Sequence, residues 1–348
     1  MSEQKHLPVN RGVLSVMACK SGRPFANRIV AELNEFAKSA TRNKEYRLVN
    51  SEEVTFPNGE IKTVINENIR GNDIYIVQAI DDPVSEATVN DNLMAAMTAT
   101  HACYQSDADH ITVVLPQFPY SRQERRKTRE AITAKLVANM LESAGAGRVI
   151  TLDIHSEAIQ GFFNKAKLED LHASRVFLDY LQEIICIDPT NMAVTSPDVG
   201  SVERARFYSK TLGMDLVIVD KARDYTKVSS IESMRLVGNV KGKDVLLVDD
   251  IIATGGTLVN ALELLKDKGA EKITVLASLP FFSGSCKDKL DRAHHDDLLH
   301  LVIGTDAVFH GKHFVEHTPW YSEVSVAPLY ARVIHNINMR LSVSELLK

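Results

Sequence analysis

Short runs of β-branched and other apolar residues recur along the chain, each followed by a stretch whose apolar positions return every three or four residues. The runs Asp73 to Gln78, Ile111 to Gln117, Arg148 to Ile154, Met192 to Ser196, Leu216 to Val219, Val245 to Val248, Ile273 to Ser278 and Leu299 to Ile303 read as strands. Asp91 to Tyr104, Thr133 to Ala144 and Thr257 to Lys268 read as helices, the last two closed by Gly145 and Gly269. Glycine suits a helix end because it takes the left-handed conformation without a Cβ clash. Strands alternating with helices mean βαβ units and parallel sheets, so an α/β fold is expected. The polar stretch Asn164 to Asp170 separates two halves of similar length, which predicts domains 1–170 and 171–348. Asp220 to Leu236 is rich in Lys, Arg, Ser and Asp and shows no period. It reads as a long internal loop, a feature that is often functional.

Composition narrows the class. The 348 residues are 45% hydrophobic and 24% charged, which excludes disordered, collagen-like and low-complexity chains and suits two domains with real cores. Lys plus Arg number 40 against 45 acids, a net charge of −5. Nothing global draws such a chain to nucleic acid or to an anionic membrane, so any anion site must be local. The four cysteines form no Cys-x-x-Cys pair, which fits a reducing compartment. No apolar run approaches the ~18 residues of a membrane span, and a cytoplasmic protein is expected.

The strongest chemical signal is Val245-Leu246-Leu247-Val248-Asp249-Asp250-Ile251-Ile252-Ala253-Thr254-Gly255-Gly256-Thr257. Four apolar residues mark a strand buried on both faces. The pattern then breaks into two acids and a small-residue turn at the strand's carboxyl end, where open α/β sheets bind ligands. Gly255 and Gly256 let main-chain amides face a ligand, the hydroxyls of Thr254 and Thr257 add donors, and the following helix start adds partial positive charge. Together they suit a dianionic phosphate. Asp249 and Asp250 would then face sugar hydroxyls. The plainer alternative is a βα turn with exposed acids.

The segment Arg122 to Arg129 holds five cations and one acid just after a predicted strand. In an acidic protein that reads as a polyphosphate or nucleotide site, or more plainly as a solvated basic face. Taken alone, Phe56 before Pro57-Asn58-Gly59 reads as a hairpin core residue. His155 and Asp198 each follow a predicted strand. His310, His313 and His317 could suggest zinc, but no His-Glu-x-x-His pattern accompanies them, and Gly311 and Pro319 favour a loop.

The motif from Val245 to Thr257 resembles the phosphoribosyl-diphosphate motif of the type I phosphoribosyltransferase fold. The rest of the chain resembles the ribose-phosphate diphosphokinase (PRPP synthetase) family in Phe56 to Glu60, Asn90 to Met94, Phe118 to Gln123, Ala134 to Leu141, Asp153 to His155, Ile159 to Phe163, Ser196 to Asp198 and Lys221 to Arg223. The resemblance implies two tandem phosphoribosyltransferase-like domains, each a mostly parallel sheet flanked by helices. It further implies that Asp249, Asp250, Thr254, Gly255, Gly256 and Thr257 hold ribose 5-phosphate, while Arg122 and Gln123 meet ATP. Phe56, Asn58 and Glu60 would hold adenine from a neighbouring subunit of a homo-oligomer, dimers assembling to a hexamer with shared active sites.

In the family, the His and Asp matched by His155 and Asp198 serve Mg2+ bound to the substrates. An imidazole is a partner that magnesium's preference for oxygen would not have selected. Lys221 and Arg223 match the pair that closes over the transferring group. The reaction so implied passes the β,γ-diphosphoryl group of ATP to ribose 5-phosphate, giving PRPP and AMP. A catalytically silent regulatory homologue and a phosphoribosyltransferase are the other readings; the first should have lost His155, Asp198, Lys221 or Arg223, all of which are present. The chain departs from the family pattern at Ala253, where a third acid is usual, at Ala158 and Ala166, and in a basic loop one residue shorter.

Overall fold

The computed structural model describes residues 10–39, 45–222, 233–344 and 346, with the backbone alone at 221, 222 and 233. Two compact units are seen, one of residues 1–172, 307–309 and 325–348, the other of residues 173–306 and 310–324.

The first unit is built on a five-stranded parallel sheet of β1 (Leu14–Ala18), β4 (Asp73–Val77), β5 (His110–Val114), β6 (Arg148–Leu152) and β7 (Lys167–Leu171), in the order β1-β4-β5-β6-β7. Every residue of β4 is buried, as expected of a strand covered on both faces. Helices α1 (Arg23–Ser39), α2 (Val89–Gln105) and α3 (Thr133–Ala144) flank the sheet, and β2 (Ser51–Thr55) pairs with β3 (Ile61–Ile65) in a separate antiparallel hairpin. Thr88 opens α2 with a reciprocal cap, its hydroxyl accepting from the Asp91 amide while the Asp91 carboxylate accepts from the Thr88 amide. Gly145 closes α3 at φ +113°. Strand β1 comes from the short apolar stretch Val13 to Cys19, which was not among the predicted strands. One reading is corrected. The polar stretch Asn164 to Asp170 runs into β7, which is polar because it lies at the sheet edge and is only partly covered.

The second unit carries seven strands in the order β10-β9-β8-β11-β12-β13-β14. These are β8 (Met192–Ser196), β9 (Asp215–Ala222), β10 (Ser233–Val237), β11 (Asp244–Ile252), β12 (Ile273–Pro280), β13 (Leu301–Thr305) and β14 (Tyr321–Val324), parallel except for β10. Its helices are α4 (Ser174–Ile184), α5 (Val202–Leu212), α6 (Gly256–Asp267), α7 (Cys286–His295) and the short α8 (Lys312–His317). Val245, Leu247, Val275, Leu262, Leu290 and Trp320 belong to one buried apolar cluster. The stretch read as one long loop, Asp220 to Leu236, is partly strand, since β9 reaches Ala222 and β10 starts at Ser233, opposite it. Met234 and Leu236 pack on the core while Val237 is exposed, a period of two hidden among polar neighbours. His313 and His317, expected in a loop, lie on α8, because Phe314 and Val315 pack against the core and order that turn. Their rings stack at 4.1 Å, and His310 is buried with a ring nitrogen 2.6 Å from the Pro280 carbonyl.

The chain closes with α9 (Ala327–Asn338), which joins the first unit although the sequence assigned residues 171–348 to the second domain. Tyr330 meets Phe25 of α1 edge-to-face at 5.1 Å. Asn338 donates to the carboxylate of Asp73 at 3.0 Å, and Tyr75 donates to the same carboxylate at 2.8 Å. Asp73 is wholly buried with Arg11 at 3.6 Å, so the helix end completes a polar cluster that would be costly to leave unmet.

Candidate active site

In the second unit the sheet order sets β8 beside β11, in parallel register with Leu247 opposite Thr195, so the carboxyl ends of both strands open at one edge. Asp250 is buried and Asp249 half-buried where β11 runs out, which overturns the alternative of exposed acids. Ser201, buried just before α5, ties the two strand ends together. Its amide donates to Asp198 at 3.1 Å and its hydroxyl to Asp249 at 2.9 Å. Burial, and then the neighbouring Asp250 carboxylate, push the Asp249 carboxyl far above the usual carboxylate range. Arg204 on α5 stands 3.7 Å from Asp250. Neither Ser201 nor Arg204 was singled out by the sequence. The run Ser196-Pro197-Asp198-Val199-Gly200-Ser201 was the available signal, but only the adjacency of β8 and β11 shows that its serine reaches Asp249.

Past the acids, Thr254, Gly255, Gly256 and Thr257 make the turn into α6, with Gly255 at φ +74°. A Cβ on Gly255 would sit 2.8 Å from the Cys286 sulfur, so both conformation and space require glycine. No acid stands in the first turn of α6, which leaves the positive end of the helix dipole unopposed. Asp198, Asp249, Asp250 and this turn are therefore all carried by one sheet edge. Lys221 lies near the end of β9 opposite Met234. Its side chain and the whole of Arg223 fall outside the described residues.

In the first unit the basic loop leaves β5 and returns at α3. Arg122, Gln123, Arg125, Lys127, Thr133 and His155 line a cavity of about 430 Å³. Gln123 is fixed there by a 2.6 Å hydrogen bond from the Thr133 hydroxyl and by its own amide bonding to Tyr120, which stands at φ +58°. His155 is thus brought together with Arg122 and Gln123. Phe56, Asn58 and Glu60 sit elsewhere in the unit, at the tip of the β2–β3 hairpin. The Phe56 amide bonds to the Glu60 carbonyl at 2.8 Å, and the Asn58 side chain accepts from the Glu60 amide at 3.2 Å. Phe56 is 43% exposed, which corrects its reading as a hairpin core residue: turn hydrogen bonds hold the tip, and the ring is partly open to solvent.

A family model described as the N-terminal domain of ribose phosphate pyrophosphokinase matches residues 14–145, and one described as a phosphoribosyl transferase domain matches residues 168–313. The chain belongs to the ribose-phosphate pyrophosphokinase family. The ribose-phosphate pyrophosphokinase of Wolinella succinogenes is 42% identical over 292 residues, 84% of this chain and 88% of that protein. That of Chlorobaculum tepidum is 39% identical over 334 residues, 96% of this chain and 94% of that protein. Among solved structures, phosphoribosylpyrophosphate synthetase from Mycobacterium smegmatis superposes with a TM-score of 0.80 at 30% identity, covering 93% of this chain and 98% of that one. The expected architecture of tandem phosphoribosyltransferase-like domains therefore holds, and the relatives that span both halves of the chain are ribose-phosphate pyrophosphokinases.

Proposed function

We propose that the chain transfers the β,γ-diphosphoryl group of Mg-ATP to the anomeric hydroxyl of ribose 5-phosphate, yielding PRPP and AMP for nucleotide biosynthesis. The observation that carries this reading is the edge formed by β8 and β11, where a glycine-threonine turn into a helix follows two carboxylates that can accept from the ribose hydroxyls. The anomeric oxygen attacks the β-phosphorus, the bond from that phosphorus to the α–β bridging oxygen breaks, AMP leaves with the bridging oxygen, and the hydroxyl proton passes to solvent. Arg122 and Gln123 would hold the nucleotide, with Phe56, Asn58 and Glu60 of a neighbouring subunit against adenine. Lys221 and Arg223 would spread the negative charge that builds on the transferring group.

The donor set fits magnesium. Among the described residues no three His, Cys, Asp or Glu side chains converge on a metal-sized centre, and magnesium is commonly held by one or two carboxylates plus substrate phosphates and waters. Asp198 can serve as such a carboxylate. His155, beside the nucleotide cavity, supplies a nitrogen suited to a metal-bound water. When bound, the ion would neutralise phosphate charge and hold the phosphates in line. Among the described residues no helix is long and apolar enough to cross a membrane, and a cytoplasmic homo-oligomer, dimers assembling to a hexamer with shared sites, is the assembly proposed.

The test is direct. Purified chain incubated with ATP, magnesium and ribose 5-phosphate should form AMP only when the sugar phosphate is present. Failure to form AMP across a range of inorganic phosphate concentrations overturns the reading.

A further inference from the structure

Three successive carbonyls, the last of β11 and the first two of the turn that follows it, are captured by one neighbouring segment. The Ile252 carbonyl accepts from the Phe282 amide at 3.1 Å, the Ala253 carbonyl from the Ser283 amide at 2.9 Å, and the Thr254 carbonyl from the side-chain ammonium of Lys289 at 2.8 Å. Phe282 adopts φ +48°, a conformation that costs a bulky residue free energy and here aims its amide at Ile252. Its ring is seated between His310 at 5.0 Å and Phe314 at 5.8 Å, with Trp320 and Tyr321 edge-on. The first turn of α7 carries both Cys286, against Gly255, and Lys289, on Thr254.

A trans peptide is planar, with its carbonyl and the following N–H pointing in opposite directions. Holding the carbonyls of 252, 253 and 254 toward the 282–289 segment therefore turns the N–H groups of Ala253, Thr254 and Gly255 the other way. The first two carbonyls are held by main-chain amides that no side-chain change removes. The third, between Thr254 and Gly255, is the one most able to rotate. Gly255 tolerates positive and negative φ almost equally, so a flip of this peptide meets little resistance from glycine itself. A flipped peptide would present a carbonyl oxygen where an anion needs a donor.

We infer that Lys289 is a positioning residue for ribose 5-phosphate: by clamping the Thr254 carbonyl it keeps the Thr254–Gly255 peptide in the orientation that donates to the 5-phosphate. The inference rests on the reading of residues 254–257 as the sugar-phosphate site. Lys289 acts from behind the turn, and its effect is confined to one substrate. A charge-preserving donor should replace it, because what matters is a long cationic hydrogen-bond donor aimed at the carbonyl.

Steady-state kinetics of the full chain with Lys289→Met and Lys289→Arg test this. Lys289→Met should raise the KM for ribose 5-phosphate about tenfold, equivalent to about 1.4 kcal/mol. The kcat and the KM for ATP should stay within about twofold, and the melting temperature should not fall. Lys289→Arg should restore most of the affinity. The tenfold ratio should persist from low to high salt, whereas a mere through-space attraction for phosphate would shrink with screening. An unchanged KM for ribose 5-phosphate, parallel changes in both substrates' KM, absence of rescue by Arg, or a ratio that collapses in salt each overturns the assignment. If the wild-type chain forms no AMP, the proposed reaction fails on its own. Calorimetric titration with inorganic phosphate then judges Lys289 separately: weaker binding by Lys289→Met supports the clamp, and equal binding refutes it.

Discussion

Ser201 donates its hydroxyl to Asp249 at 2.9 Å across 48 residues of chain, while its amide donates to Asp198. One small residue thereby links a carboxylate of β11 to one in the loop that follows β8. The hydrogen bond favours the charged form of Asp249, but burial and the Asp250 carboxylate oppose it more strongly, and the balance leaves the Asp249 carboxyl hard to ionise.

That balance has a signature in pH. A carboxyl whose proton affinity is raised by folding gives the folded state an advantage that is complete below its unfolded pKa of about 4 and is lost as pH rises toward the folded value. Ligand-free protein should therefore lose stability between pH 5 and pH 8, and Asp249→Asn, which keeps the Ser201 bond, should flatten that loss. Thermal melts of both proteins at several pH values provide the check, and identical slopes would count against the assignment.

The turn into α6 should not tolerate a side chain at Gly255. Gly255→Ala must adopt φ near +74° and meet the Cys286 sulfur, so a stability loss of about 2 kcal/mol is expected. Adding Cys286→Ala should recover the steric part and leave the conformational part. Urea unfolding of the single and double variants measures both shares.

Lys221→Ala should lower kcat by about 10³, near 4 kcal/mol of barrier, with the KM for ribose 5-phosphate changed less than about threefold. A variant that kept wild-type turnover would remove Lys221 from the chemistry.

Phe56→Ala should leave the fold intact, since the ring is already exposed, and raise the KM for ATP about tenfold, the scale of one lost base–aromatic stack. Mixing Phe56→Ala with Lys221→Ala under conditions of subunit exchange should restore activity at low ATP, because a shared site can draw Phe56 from one subunit and Lys221 from the other. Lack of complementation would confine the hairpin to its own subunit's site, or to none.

Much of this was legible in the chain because the forces concerned are local. Val245 to Val248 announces a strand buried on both faces, Gly145 and Gly269 announce helix ends, and Thr254-Gly255-Gly256-Thr257 after two acids announces a tight turn into a helix. The readings that failed are those in which neighbours in space decide the outcome. β7 is polar because it lies at an edge, β10 hides Met234 and Leu236 among polar residues, and α8 exists because Phe314 and Val315 find the core.

The sequence by itself determined the alternation of strands and helices, the family, and the chemical identity of the acids and of the turn, since backbone preference and side-chain chemistry act over a few residues. Only the tertiary structure decided that Ser201 reaches Asp249, that Lys289 reaches Thr254 across 35 residues, and that α9 returns to Asp73 across 265. Those pairings follow from which strands lie side by side and which faces remain to be covered. That choice is made by burial of the whole chain at once, and no local stretch encodes it.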